Sequence, residues 1–113
     1  MYAIKSDLDG VAVLSLKGKL VTTEDNEALQ KDVKEVIKNN PKGLVINMRQ
    51  LNWVSSTGIS GIIRCLSMTK KAGGDFGLTG LNDKVQNIIT LTQLDKVIPV
   101  FPSVEEAVAK FKA

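Results

Sequence analysis

The stretch "NWVSSTGISGIIRCL", Asn52–Leu66, sets three consecutive hydroxyl residues and a glycine between a run that reads as a strand and one that reads as a helix. Ahead of it, "GLVINM", Gly43–Met48, is short, nearly unbroken in apolar residues and preceded by Pro41, which suits a strand buried on both faces. Behind it, Ile59, Ile62, Ile63 and Leu66 recur at helical spacing, and Gly73-Gly74 offers a left-handed stop. Ser55, Ser56 and Thr57 therefore fall at the carboxyl end of a buried strand and the amino end of a helix.

Outward from that turn, the same two periodicities organise the chain. Tyr2–Ser6 and the alternating Gly10–Leu20 read as a hairpin turned at Asp9-Gly10. Thr22 or Thr23 can cap a helix that carries Leu29, Val33, Val36 and Ile37 and stops before Pro41. "DFGLTG" reads as a further strand, and Asn82 opens a helix with Val85, Ile88 and Ile89. "KVIPVF", Lys96–Phe101, reads as a last short strand that Pro99 assigns to an edge. In "SVEEAVAKF", Ser103 and Glu106 have capping-box spacing, while Val104, Ala107, Val108 and Phe111 form one apolar stripe. The alternation predicts an α/β domain with a mostly parallel sheet, an N-terminal hairpin and about four helices.

The totals exclude several functions. With 113 residues, one domain spanning 1–113 is expected. The net charge of +3 is scattered, without the basic run that neutralises many phosphates, and aromatics are too few for a base-stacking platform, so nucleic acid is not an expected partner. A lone Cys65 and no histidine leave neither a zinc cluster nor a histidine-based triad, and no metal, cofactor or catalytic residue is assigned. Met1–Asp9 has no signal-peptide core and no run reaches the roughly 18 apolar residues of a membrane helix. A cytoplasmic protein without membrane insertion is the expectation.

Two readings of the hydroxyl turn stand on residue chemistry alone. Serine and threonine are preferred N-caps, worth about 1 kcal/mol relative to alanine, and need no further role. The same position, where a strand ends and a helix begins, is also where α/β sheets collect their interaction sites, and a helix N-terminus tolerates an added anion. A small enzyme using Ser56 as nucleophile would need a base, yet Lys70 and Lys71 lie about four helical turns away. Cys65 reads as a small buried hydrophobe, Trp53 as a contact anchor or a packing residue, and Arg64 as part of a solvated helix face. "GGDFGLTG" lacks the Lys-Ser/Thr ending of a phosphate loop.

"WVSSTGISGII" resembles the signature of the anti-sigma factor antagonists, the stand-alone STAS domains. "LSLKGKLVTTE", "PKGLVINMRQLNWV" and "LTQLDKVIPVFPSVEEAV" are similar to other parts of that family's pattern, so the likeness covers nearly the whole chain. The resemblance implies a STAS-like fold and a binding protein rather than an enzyme, a monomer or weak dimer that meets an anti-sigma factor with serine kinase activity and a phosphatase. It implies phosphorylation at Ser56, with Ser55 and Thr57 as alternative acceptors, and a contact surface of Val54, Ser55, Ser56, Thr57, Gly58, Ile59, Ser60 and Arg64. Two departures stand out: Ser55 and Val21 occupy positions where the family usually has aspartates. Without those acids, a STAS scaffold subunit of a signalling or transport assembly, not phosphorylated, is the competing expectation.

Overall fold

In the computed structural model, which describes residues 1–112, Tyr2–Leu8 (β1) and Val11–Leu20 (β2) form the expected antiparallel hairpin. Asp9 and Gly10 turn it at φ values of 55° and 85°, the left-handed pair that matches strand twist in a two-residue loop. Thr22 caps the helix Thr23–Ile37 (α1). Its hydroxyl accepts from the Asp25 N–H at 3.0 Å, while the Asp25 carboxylate accepts from the Thr22 N–H at 3.1 Å. The next strand, Gly43–Val54 (β3), is longer than the apolar run Gly43–Met48 alone indicates. Two register irregularities, between Ser15 and Lys17 and between Gly18 and Lys19, keep its polar second half paired with β2.

Helix Ser56–Lys71 (α2) closes as the glycine pair predicts. Gly73 adopts φ 85°, its N–H donates to the Lys70 carbonyl, and the Gly74 N–H reaches the Thr69 carbonyl, both at 3.0 Å. Asp75–Thr79 (β4) follows, then Asp83–Leu91 (α3), capped by Asn82 through the Val85 N–H at 2.8 Å. The expected strand Lys96–Phe101 is shorter than its β-forming residues suggest. Gln93 turns left-handed, Leu94–Lys96 winds into a 3₁₀ turn and the Ile98 N–H donates to the Leu94 carbonyl, leaving Val100–Phe101 (β5) to pair. Val104–Lys112 (α4) completes the described chain.

The five strands lie in sequence order, with β1 antiparallel and β2 through β5 parallel. Alternation in β2 separates two cores. Ala12, Leu14 and Leu16 join Leu44, Ile46, Met48, Phe76 and Leu78 beneath Leu29 and Val33 of α1, Ile59 and Ile62 of α2, and Val85 and Ile89 of α3. Val11, Val13 and Val45 face the other way, against Ala107, Val108 and Phe111 of α4. The Phe111 ring lies over two strand glycines: a Cβ at Gly43 would sit 2.7 Å from its Cδ2 and one at Gly77 3.0 Å from its Cζ. Phe101 meets the same ring edge-on, with centroids 5.4 Å apart.

That packing makes Phe111 the anchor of α4, because its ring covers Gly43 and shares the space over Gly77 with Phe101. Phe111→Ala is expected to lower stability by about 3 kcal/mol, read as a lower urea midpoint in equilibrium unfolding; an unchanged midpoint would contradict the packing described.

Candidate functional site

The last residues of β2 and β3, Leu20 and Val54, lie side by side, and the Ser55 N–H donates to the Leu20 carbonyl at 3.0 Å. From there the chain must turn into α2 in very little space. A Cβ on Gly58 would stand 2.2 Å from the Leu20 carbonyl oxygen and 2.9 Å from Val54 Cγ1, so the first turn of α2 rests directly on the two strand ends.

Ser55 is the cap that this approach requires. Its backbone is extended, its hydroxyl accepts from the Gly58 N–H at 3.1 Å, and the same hydroxyl donates to the Val21 carbonyl at 2.8 Å. Both hydrogen-bonding roles of that oxygen are taken. Ser56, one residue on, is the first residue of the helix and is exposed; its hydroxyl makes none of these bonds, and only its backbone carbonyl is engaged, by the Ser60 hydroxyl at 3.3 Å. The run of hydroxyls thus divides into an occupied cap at Ser55 and, at Ser56, an exposed residue whose hydroxyl has no hydrogen-bond partner among the described residues.

Val21 is held from its other side as well. Its N–H donates to the Asp25 carboxylate at 3.0 Å. That bond, the second one from the Thr22 N–H and the nearby N-terminal ammonium hold the Asp25 carboxyl below the usual carboxylate range. The sign follows: the contribution is present above the ordinary carboxylate pKa and is lost as pH falls through the lowered value. At neutral pH the end of β2 is therefore fixed in place.

Asn26 supplies a contact that sequence reasoning missed. It is a buried polar residue of α1 whose Nδ2 donates to the Thr57 carbonyl at 2.8 Å, tying α1 to the first turn of α2. A Cβ at Gly61 would lie 2.2 Å from Asn26 Oδ1, so the second glycine of α2 exists to admit this side chain. Asn26 Oδ1 has no hydrogen-bond partner among the described residues. The signal was present: Asn26, Leu29 and Val33 share one helix face by spacing, and a polar residue on an apolar face invites a search for its partner.

Of the residues implied by the resemblance, Ser56, Thr57, Ser60 and Arg64 are exposed and Ser55 is half-buried. Val54, Gly58 and Ile59 are buried, so they support the surface from below and do not present side chains to a partner. Ile63, read from spacing as a core residue, instead faces solvent at 46% exposure, on the same stripe as Ser56, Ser60 and Arg64. Arg64 and Ser60 border a shallow cleft of about 240 Å³ between α1 and α2, lined also by Thr23, Asn26, Glu27 and Gln30. Trp53 is half-buried beside the turn. Cys65 is buried, and desolvation pushes its thiol up to about 12. Among the described residues there is no cluster of metal-ligating side chains, and no helix is long and apolar enough to cross a membrane.

Comparison with known proteins agrees with this geometry. A family model described as STAS domain matches residues 2–107. The anti-sigma-F factor antagonist RsfB of Mycobacterium tuberculosis is 31% identical over 107 residues, covering 90% of this chain and 82% of that protein. The crystal structure of an anti-sigma factor antagonist from Mycobacterium paratuberculosis superposes with a TM-score of 0.86 at 26% identity, covering 98% of this chain and 93% of that one. The Bacillus cell fate determinant SpoIIAA in its phosphorylated form shares the fold, with a TM-score of 0.70, 14% identity and coverage of 96% and 97%.

The division between the two serines is measurable. Ser55→Ala removes the cap and strands the Val21 carbonyl, so it should cost about 1 to 2 kcal/mol, whereas Ser56→Ala should stay within about 0.5 kcal/mol of wild type; urea denaturation of both variants compares them, and equal losses would erase the distinction. Cys65 should resist a thiol reagent at mildly alkaline pH in the folded protein and react in denaturant, because a thiol with a pKa of about 12 holds almost no thiolate there. Rapid labelling of the native chain would contradict its burial.

Proposed function

We propose that this chain, which belongs to the STAS domain family, is an anti-sigma factor antagonist whose hold on its partner is released by phosphorylation of Ser56. The relatives named above support the antagonist role. One observation carries the assignment of the switch: the Ser56 hydroxyl is exposed and unbonded at the first position of α2, while its neighbour Ser55 performs the capping.

Physical chemistry then supplies the switch. The chain carries no charge from Leu51 through Ile63, and the exposed stripe Ser56, Thr57, Ser60 and Ile63 offers an uncharged, partly apolar contact with Arg64 at its far end. A phosphate on Ser56 would add about −1.5 to −2 charges at pH 7. The fold accepts that group, because the free N–H groups and dipole of the first turn of α2 favour an anion by about 0.3 to 1 kcal/mol. A docked partner does not: an uncompensated charge buried at an interface costs several kcal/mol, and about 1.4 kcal/mol is already tenfold in affinity. A serine kinase activity in the anti-sigma factor would write the mark and a phosphatase would remove it.

A second reading has its own observation. Ser55 replaces an acid as the cap without replacing its charge, and Val21 offers only backbone groups, so neither strand end places a carboxylate beside Ser56. On that reading the same stripe serves a constitutive scaffold that is never phosphorylated. Incubation with ATP and the cognate anti-sigma factor, followed by mass spectrometry, separates the two: modification at Ser56 supports the switch, and an unmodified chain supports the scaffold.

Binding provides the complementary test. Wild type and Ser56→Ala should bind the anti-sigma factor alike, and Ser56→Asp should bind at least roughly tenfold more weakly by calorimetry. Equal affinity for all three would remove the switch.

A further inference from the structure

The outer edge of β1 is simpler in chemistry than the Ser56 turn. β1 ends the strand order, so one of its edges has no strand neighbour among the described residues. Leu8 and Val11 flank the two-residue turn and form the pair that exchanges both backbone hydrogen bonds. Alternation then directs the N–H and C=O groups of Ala3, Lys5 and Asp7 outward, a row able to accept another strand.

The side chains along this edge are self-complementary. Ile4, Ser6 and Leu8 share the sheet face that bears Val13 and Val11, and Ile4 and Leu8 remain 47% and 44% exposed. Lys5 and Asp7 are exposed on the opposite face, where Lys5 also meets Asp32 and Glu35 of α1 and Asp7 accepts from the Gly10 N–H. A lone lysine on an edge strand discourages pairing. Here an aspartate stands two residues away, which is the spacing that a two-fold axis between them converts into mutual neutralisation.

We propose that β1 pairs antiparallel with β1 of a second copy of this chain, with the two-fold axis at Ser6. Lys5 then lies opposite the partner's Asp7, and Ile4 opposite the partner's Leu8, each contact occurring twice. Other registers that use the outward backbone groups are worse. An axis at Lys5 or at Asp7 sets like charges face to face, and an axis at Ile4 pairs Lys5 with Ala3 and leaves Asp7 without a lysine opposite it. Five residues from each copy make a small interface, at the low end of specific contacts, so the dimer dissociates on dilution. In the strand order β2 stands between β1 and β3, and β3 leads into the Ser56 turn, so the paired edge does not belong to the strand that carries the turn.

The register dictates the test. Ser6 would face its own copy across a non-hydrogen-bonded pair, with Cα atoms about 4.5 Å apart, a separation that a disulfide spans. Sedimentation velocity of the full chain should show a concentration-dependent shift from monomer to dimer, and Asp7→Lys should weaken it by roughly tenfold through two lysine pairs. Under mild oxidation Ser6→Cys should form a covalent dimer while Ile4→Cys, opposite a leucine, should not; buried Cys65 stays out of the reaction in both. A wild type that remains monomeric at every concentration, an Asp7→Lys chain that associates as wild type does, or cross-linking of Ile4→Cys as readily as Ser6→Cys would overturn the proposal.

Discussion

The contact between the first turn of α2 and the Leu20 carbonyl governs the shape of the candidate site. No side chain fits at position 58, since a Cβ there would come within 2.2 Å of that oxygen. With the helix seated so low, its cap must also answer to the strand beside it, and Ser55 does so by bonding Gly58 and Val21 with one hydroxyl. Ser56 is then carried past the strand ends onto the rim. Two adjacent serines of identical chemistry acquire opposite roles from where the glycine lets the helix rest.

The rest of the fold holds that seat steady. Burial of both faces of β2 and β3 leaves little freedom to the strand ends. Asp25 grips the Val21 N–H from the start of α1, and Asn26 grips the Thr57 carbonyl one residue later. Consecutive residues of one helix thus clamp both sides of the turn. On the proposed switch, such a rigid platform would let an added phosphate act on the approaching partner and not on its own scaffold.

Much of this was legible in the sequence, for physical reasons. The hairpin declared itself through Asp9-Gly10 and alternation, the central strand through an apolar run, and the end of α2 through a glycine pair whose first member, Gly73, takes the left-handed exit. Misreadings arose where one residue type serves two environments. Ile63 fits the helical apolar period yet lies just outside the buried arc, and the β-formers of Lys96–Phe101 yielded to the turn started by Gln93. The second half of β3 escaped notice because its irregular pairing with β2 breaks the alternation. The site itself divided in the same way: the turn and its glycine could be read, but which serine caps the helix depended on how near the Leu20 carbonyl comes.

The two sheet margins differ in kind. At the opposite end from the hairpin, β5 contributes only Val100 and Phe101, hemmed by Pro99 and Pro102, and so has too few backbone groups to template a neighbour. Growth from one margin alone closes on itself, whereas open-ended polymerisation needs a head that fits a tail. The brevity of that last strand therefore works against open-ended strand-to-strand stacking of this chain.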